Sequence, residues 1–406
     1  MHRFSLLLLA ALCASAQAAQ EPAGPLSLPA AMALAQDANP TLSAARHELA
    51  AQGGALQQAR ALPNPELQTL VEDTRRASRS TTMQLNQLIE LGGKRAARSA
   101  AAESGQHLAD AALAQQQAET RALVAGAFVD VLAAQEALLL ADSAQALAAR
   151  ATAVTARRVA AGKASPVEAT RATVFEASVK LETNLVRSTL ATARLRLAAL
   201  WGNTTPRFTQ AEGSLVQLPP LAPQQELLAR LQQAPALRQA RSALARQQAQ
   251  VAIEQRRAIP DVTLSVGMKR SEELGRNQAI IGLALPLPLF DRNAGNTLEA
   301  LRRSDKAGDE LAVAGVQLQT ELATAIDKLA TAQRDIDSLQ REILPGAQSA
   351  YDAASKGFEF GKFAFLDVLD AQRTLLQVKN QTLRALTEAQ QAHIAIERLL
   401  GASSAP

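Results

Sequence analysis

Four short segments of this chain alternate apolar and polar residues with period two: ELQTLVEDT (66–74), MQLNQLIEL (83–91), DVTLSVGMK (261–269) and QAIIGLALPL (278–287). In the third, Val262, Leu264, Val266 and Met268 share one face, and Thr263, Ser265 and Gly267 the other. In the second, Met83, Leu85, Ile89 and Leu91 oppose Gln84, Asn86 and Glu90. Such alternation predicts strands with one wet face and one dry face. Almost everything else reads as helix. No proline interrupts the chain between Pro65 and Pro166, and Lys94 to Ala161 is Ala, Gln, Leu, Arg and Glu with two glycines. At roughly 1.5 Å per residue that helix spans about 100 Å. A second long helix is expected from Asn296 to Phe360, kinked at Pro345-Gly346.

The pattern occurs twice. Asn39-Pro40-Thr41-Leu42 resembles Ala234-Pro235-Ala236-Leu237, and Pro65 matches Pro260, at an offset of 195 residues. Leu91 matches Phe290, Gly162-Lys163 matches Gly361-Lys362, and Gly202 matches Gly401, at an offset of 199. Prolines and glycines punctuate structure, so their shared register marks a duplicated fold rather than a chance likeness of alanine-rich helices. The expected organisation has a first repeat at 19–210: a helix, a β-hairpin at 66–91, a long helix at 94–161 and a return helix at 166–200. A proline-rich connector at 211–234 carries a short helix, Gln224 to Gln233. The second repeat, 235–401, has a helix, a hairpin at 261–287, a long helix at 296–360 and a return helix at 363–400. Residues 402–406 form a tail.

Composition and charge narrow the possibilities. MHRFSLLLLAALCASAQA has a basic start, an apolar core and a small-x-small site at Ala16-Gln17-Ala18, so residues 1–18 read as a secretory signal peptide. The one cysteine, Cys13, lies inside it, so the mature chain is expected to hold neither disulfide nor thiolate metal site. No later stretch of eighteen consecutive apolar residues follows. Basic and acidic residues are interspersed at a formal net charge of +4, which argues against a nucleic-acid surface. Aromatic residues are only 3%, so helices must pack closely through alanine rather than around bulky rings.

Exported chains with strands of about nine residues fit an outer-membrane barrel, which must close on itself. Four strands cannot close. Two chains would give a barrel plugged by its own side chains, and three would give twelve strands and an open lumen. The alternative is a periplasmic helical-hairpin protein with a small lipoyl-like or sandwich domain. The near absence of Trp and Tyr weighs against a barrel, which usually carries aromatic girdles.

The segments RRVAAGKASPVEATRA (157–172) and KGFEFGKFAFLDVLDAQRTLL (356–376), with IELGGKRAARSAAAE (89–103) and the LPLPLFDRNAGNTLEA stretch that ends at 300, resemble the TolC-type outer-membrane efflux channels. The likeness covers essentially the whole mature chain and looks most like the cobalt–zinc–cadmium (CzcC-like) subgroup. It implies a mainly α fold with a small β part. Two internal repeats of strand hairpin plus long helices would form a homotrimer, with a 12-stranded transmembrane β-barrel continuous with a 12-helix periplasmic α-barrel. It further implies the exit duct of a tripartite pump, joined to a periplasmic adaptor protein and an inner-membrane RND transporter, with no enzyme activity and no cofactor. Export of drugs or of a secreted protein, or a non-channel periplasmic scaffold, are the competing functions.

By the same resemblance, Asp367 and Asp370 match the family's DVLDA motif and line the periplasmic entrance, where three copies would stack two acidic rings. The competing reading is that Asp367 caps the return helix. Where gated relatives carry an arginine after the tip glycine, this chain has Phe363. Phe358, Phe360, Phe363 and Phe365 would gate the entrance, meet the adaptor or simply pack the turn. Gly162, Lys163, Ser165, Gly361 and Lys362 mark the two tips and the adaptor docking site. No phosphate loop or nucleophile motif stands out, and His47, His107 and His393 each read as isolated on a helix.

Overall fold

The computed structural model describes residues 21–73 and 75–401. The expected signal peptide and the 402–406 tail lie outside the described residues. From the N-terminus the chain runs β1 (Pro25–Ser27), α1 (Leu28–Ala38), α2 (Pro40–Arg60), β2 (Glu66–Glu72), β3 (Ser80–Ile89), α3 (Lys94–Ala160) and α4 (Pro166–Ala199). The second half follows as β4 (Gln210–Glu212), α5 (Gln224–Leu231), α6 (Pro235–Arg257), β5 (Val262–Ser271), β6 (Arg276–Ala284), α7 (Ala294–Ser338), a π-helical turn (Leu339–Ile343), α8 (Leu344–Glu359) and α9 (Phe365–Leu400).

The helices begin where chemistry allows. Asn39 accepts from the Leu42 amide at 2.9 Å and Ser165 from Val167 at 3.3 Å, each before a proline that sets the first turn. The expected kink at Pro345 takes a specific form. Proline lacks the N–H that α-helix needs, and its ring collides with the carbonyl four residues back. The chain widens into one π turn just before it, so the expected 296–360 helix is three segments starting at Ala294. The return helix begins at Phe365 rather than residue 363, because Ala364 is extended and acts as the N-cap. The hairpin strands are also trimmed: β6 ends at Ala284, short of the expected 287.

Residues flanking the strands refine the repeat. Gly93 (φ 74°) and Asn293 (φ 60°) are both left-handed N-caps, of α3 and α7. The offset at this exit is therefore 200 rather than 199, and Leu91 corresponds to Asp291, not Phe290. Helix α1 and the β1–β4 parallel pair were not foreseen; three-residue strands carry no periodic signal. Helix α5 has the place in the second half that α1 has in the first. Leu34 and Ala35 of α1 join Val124, Phe128, Leu197, Trp201 and Phe208 in one core. Leu227 and Leu231 of α5 join Leu322, Leu329, Ala389 and Ile396 in another.

By length and average composition a stretch of α3 is apolar enough to cross a membrane, although polar residues such as Asp130 and Glu136 break any run of eighteen apolar residues. Alanine, abundant in α3, raises such an average without supplying a bulky apolar surface. Val124, Phe128, Val131 and Leu132 of α3 are instead buried in the first core, against α1 and α4. Small residues bring the long helices together: Ala109, Ala118, Ala144 and Ala148 are buried on α3.

Candidate functional site

Two regions carry the candidate chemistry, separated by the length of α3, 67 residues and so about 100 Å. At one end β2, β3, β5 and β6 form one antiparallel sheet in that order. Its register places Leu67 opposite Leu85, Leu85 opposite Val266 and Val266 opposite Ile281. Nothing covers this face: Leu67 is 66% exposed, Val266 56% and Ile281 82%. The other face is a polar ladder. Gln84 donates to Gln68 at 2.8 Å and to Asn86 at 3.2 Å, and Ser265 donates to Asn86 at 2.7 Å. Lys269 pairs with Glu72 at 2.6 Å. Both outer edges, on β2 and β6, are unpaired. A sheet that is apolar on one side, hydrogen-bonded and wet on the other, and open at both edges is an arc of barrel wall.

At the far end the helices turn back through two equivalent tips. Lys163 N–H reaches Arg158 O at 2.8 Å and Gly162 N–H reaches Val159 O at 2.9 Å. In the second half Lys362 reaches Gly357 at 2.8 Å and Gly361 reaches Phe358 at 3.0 Å. Gly162 (φ 69°) and Gly361 (φ 74°) take the left-handed conformation this helix end requires. After the turn the two tips diverge. Ser165 caps α4 with its hydroxyl, whereas Ala364 has none and Asp367 substitutes. Its Oδ2 accepts from the Ala364 N–H at 2.9 Å.

The four tip phenylalanines divide. Phe358 and Phe365 are buried with ring centroids 5.7 Å apart, packed on Ala172, Ala354, Val368 and Leu369. The Arg158 guanidinium lies 4.4 Å over the Phe358 ring and donates to its carbonyl, tying the first tip to the second. Phe360 is 79% exposed and Phe363 49%, the latter lying against Gly357. Packing thus accounts for two of the four rings and leaves Phe360 and Phe363 at the surface.

Asp367 and Asp370 are exposed and line one open cleft of about 640 Å³ between α4 and α9, with Thr170, Phe175, Arg171 and Arg373. The two arginines were not singled out from sequence. Arg171 occupies, in the first tip, the position Asp370 has in the second, and the repeat offset alone would have found it. Arg373 lies 5.6 Å over the Phe175 ring. Lys163 and Ser165 lie in the turn between α3 and α4, and Lys362 in the turn between α8 and α9. His393 is not isolated: its Nε2 is 3.3 Å from Oε1 of Glu397, one turn on. Among the described residues no group of three or more His, Cys, Asp or Glu is arranged to hold a metal ion.

Comparison with known proteins extends these observations. The profile of the family described as outer membrane efflux protein matches residues 31–203 and 228–402, one match per repeat. The cobalt-zinc-cadmium resistance protein CzcC of Cupriavidus metallidurans is 47% identical over 382 residues, 94% of this chain and 91% of that one. The nickel and cobalt resistance protein CnrC of the same species is 28% identical, over 79% of this chain and 77% of its own. Among solved structures, the outer membrane protein VceC of Vibrio cholerae superposes with a TM-score of 0.78 at 21% identity, covering 92% of this chain and 96% of its own.

Proposed function

The chain belongs to the family of outer membrane efflux proteins, and from that premise we propose that it is the outer-membrane exit duct of a tripartite efflux system for heavy-metal cations. Three copies supply twelve strands and close the barrel that one copy cannot. The observation that carries the channel is the four-stranded sheet with its bare apolar face, polar ladder and two unpaired edges. The resistance named for its CzcC relative turns the reading toward cobalt, zinc or cadmium as cargo.

The duct is passive. Cations are drawn into the periplasmic entrance by charge and leave through a wet lumen, and soft ligands that would hold them are few. Asp367 and Asp370 supply negative charge at that entrance. Because Asp367 also caps α9, Asp370 is the more dispensable for folding and the cleaner ring. Arg171 and Arg373 in the same cleft temper the field. The tips around Gly162, Lys163, Ser165, Gly361 and Lys362 receive the periplasmic adaptor, with Phe360 and Phe363 as its apolar contact or as the gate. An inner-membrane RND transporter supplies the energy.

Single-channel recording in planar bilayers tests this. Wild type is expected to give a cation-selective pore that divalent cations block from the tip side, with block weakened several-fold in Asp370→Asn. A pore whose selectivity ignores Asp370 would remove the acidic ring, and well-folded, membrane-extracted protein without conductance would remove the duct.

A further inference from the structure

Barrels are ordinarily fixed at the membrane surface by girdles of Trp and Tyr. This chain has one of each, and Trp201 and Tyr351 both pack among the helices. In 62–92 and 259–292 the one aromatic residue is Phe290, at the end of the sheet nearest the helices. The opposite end, where the two hairpins turn, has none and is rich in arginine instead. Residues 72–79 and 269–276 carry six basic side chains against four acidic ones, and five of the six are arginine. We propose, on the reading of the sheet as barrel wall, that this rim binds the phosphates of lipid A, the anionic lipid of the outer leaflet, through Arg79, Arg270 and Arg76.

The register decides which arginines face lipid. On the bare face the row of Leu85 and Val266 is followed by Met83 with Met268, then by Thr81 with Arg270. Glu272 N–H reaches Arg79 O at 3.1 Å, so the ladder continues beyond β3 and the next pair on this face is Arg79 with Glu272. Ser80, between them, bonds Glu72 on the polar face, as does Lys269. Arg276 lies opposite Ser271 and belongs to that polar face as well. Arg79 and Arg270 therefore end the apolar band, whereas Lys269 and Arg276 face the lumen. Ten residues separate Ile89 from Arg79. At about 3.4 Å each and a tilt of about 40°, they span about 25 Å along the membrane normal, the height of a barrel's apolar band. Arg79 thus stands at the headgroups, and Arg270, one row deeper, reaches them by its long stem.

The three arginines converge on one carboxylate. Arg270 Nε lies 3.0 Å from Glu272 Oε1. That hydrogen bond, with the charges of Arg270, Arg79 and Arg76, holds the carboxyl below its ordinary value. One acid cannot neutralise three cations. The guanidinium groups of Arg76 and Arg79 have no hydrogen bond or ion pair of their own among the described residues, and Glu273, in the same turn, pairs with neither. A guanidinium is a planar fork that meets two phosphate oxygens at once, and it is more weakly hydrated than an ammonium, so arginine at this depth suits phosphate better than lysine. Lipid A presents phosphates above acyl chains, and the rim presents arginine above bare Val71, Met83 and Met268. Phospholipids of the inner leaflet do not meet this rim, which lies at the end of the sheet away from the periplasmic helices.

Binding of purified lipid A to the detergent-extracted full chain, read by native mass spectrometry, tests this. Wild type is expected to retain bisphosphorylated lipid A and to bind the dephosphorylated form at least about tenfold more weakly, the worth of one charge-assisted hydrogen bond. Arg79→Gln with Arg270→Gln should lose a similar factor. Arg276→Gln, which removes a charge from the lumen face, should stay within about twofold, since salt screens a charge so placed. Equal binding of the two lipid A forms by wild type would reduce the contact to acyl chains and overturn the phosphate site. So would an equal loss in Arg276→Gln, the mark of diffuse attraction by net charge, or equal retention of phosphatidylglycerol, the mark of a rim that takes any anionic headgroup. The comparison of lipid A forms needs no variant, so it decides even where the double variant fails to fold. Conductance of the same preparation reports the duct separately. A conducting pore indifferent to lipid A phosphate overturns the rim alone, and well-folded protein without conductance overturns the barrel reading beneath it.

Discussion

The chain's one tryptophan, Trp201, donates its indole Nε1 hydrogen to Glu21 Oε2 at 3.1 Å, across 180 residues of sequence. The same carboxylate accepts from Asn203 and, through Oε1, from the backbone of Arg207 at 2.6 Å and Phe208 at 3.1 Å. One acid thus fastens the start of the described chain to the loop that closes the first repeat, beside the β1–β4 pair.

That clamp should be sensitive to pH. Partial burial acts to raise the Glu21 pKa, but the hydrogen bonds from Arg207, Asn203, Trp201 and Phe208 outweigh it and hold the carboxyl below its ordinary value. A depressed folded-state pKa contributes stability that is complete above the unfolded value, about 4.3 for glutamate, and is lost as pH falls through the lower folded one. Trp201 emission should therefore hold steady at neutral pH and shift to the red only in acid below about pH 4. Glu21→Gln turns an amide nitrogen or a weaker acceptor toward these donors and should show the shifted spectrum already at pH 7. An unchanged spectrum in the variant would mean that the β1–β4 pair alone holds the segment.

The two tip aspartates should separate by experiment. Asp367 closes the first turn of α9 in place of the hydroxyl that Ala364 lacks. Removing a capping side chain costs about 1 kcal/mol, so Asp367→Ala should speed hydrogen exchange of the Ala364 amide and loosen the tip. Asp370 is one turn further in and exposed, so Asp370→Asn should leave stability within about 0.5 kcal/mol of wild type. Exchange measured at Ala364 in both variants decides whether the capping role is confined to Asp367.

How much of this was legible in the sequence depends on the range of the interaction. The strands, the long helices and the tips announce themselves, because period-two runs, proline-free alanine-rich stretches and left-handed glycines are local signals. What escaped was tertiary. The β1–β4 pair has too few residues to show a period. Whether Phe358 or Phe360 is buried depends on Ala172 and Arg158, which come from the other repeat. The end of β6 at Ala284 escaped for a related reason: alternation continues to Leu289, but a strand needs a partner, and a single chain offers none beyond Thr263. The one-residue slip at Leu91 arose from matching residue types, where matching backbone conformations at Gly93 and Asn293 is the stricter guide.

Gly357 and Phe363 form a coupled pair. A methyl group at Gly357 would lie 2.0 Å from Cδ2 of Phe363, so Gly357→Ala must expel the ring. Because Phe363 is already half exposed, the loss should be modest, about 1 kcal/mol in thermal unfolding of the tip. Phe363→Ala removes the obstacle, and adding it to Gly357→Ala should recover most of that loss. Additive effects in the double-mutant cycle would show that the ring does not rest on Gly357 in solution.

The sheet contains its own internal control for close approach. Gly267 lies opposite Gln84 in a non-hydrogen-bonded pair, where neighbouring backbones are nearest. A Cβ there would come within 2.5 Å of the Met83 carbonyl oxygen and 2.6 Å of the Gln84 Cβ. Backbone cannot step aside without breaking the seam between the two repeats, so Gly267→Ala should cost about 3 kcal/mol or prevent assembly. Gly282, on the neighbouring strand and the same face, differs: its Cβ would meet Ser265 Cβ at 3.4 Å, an ordinary contact. Gly282→Ala should therefore assemble like wild type. If the seam is as tight as the polar ladder of Gln84, Asn86 and Ser265 requires, the heat-resistant trimers expected from the proposed function will be lost in the first variant and retained in the second. Equal tolerance would mean that β3 and β5 stand further apart in the assembled barrel than in the single chain.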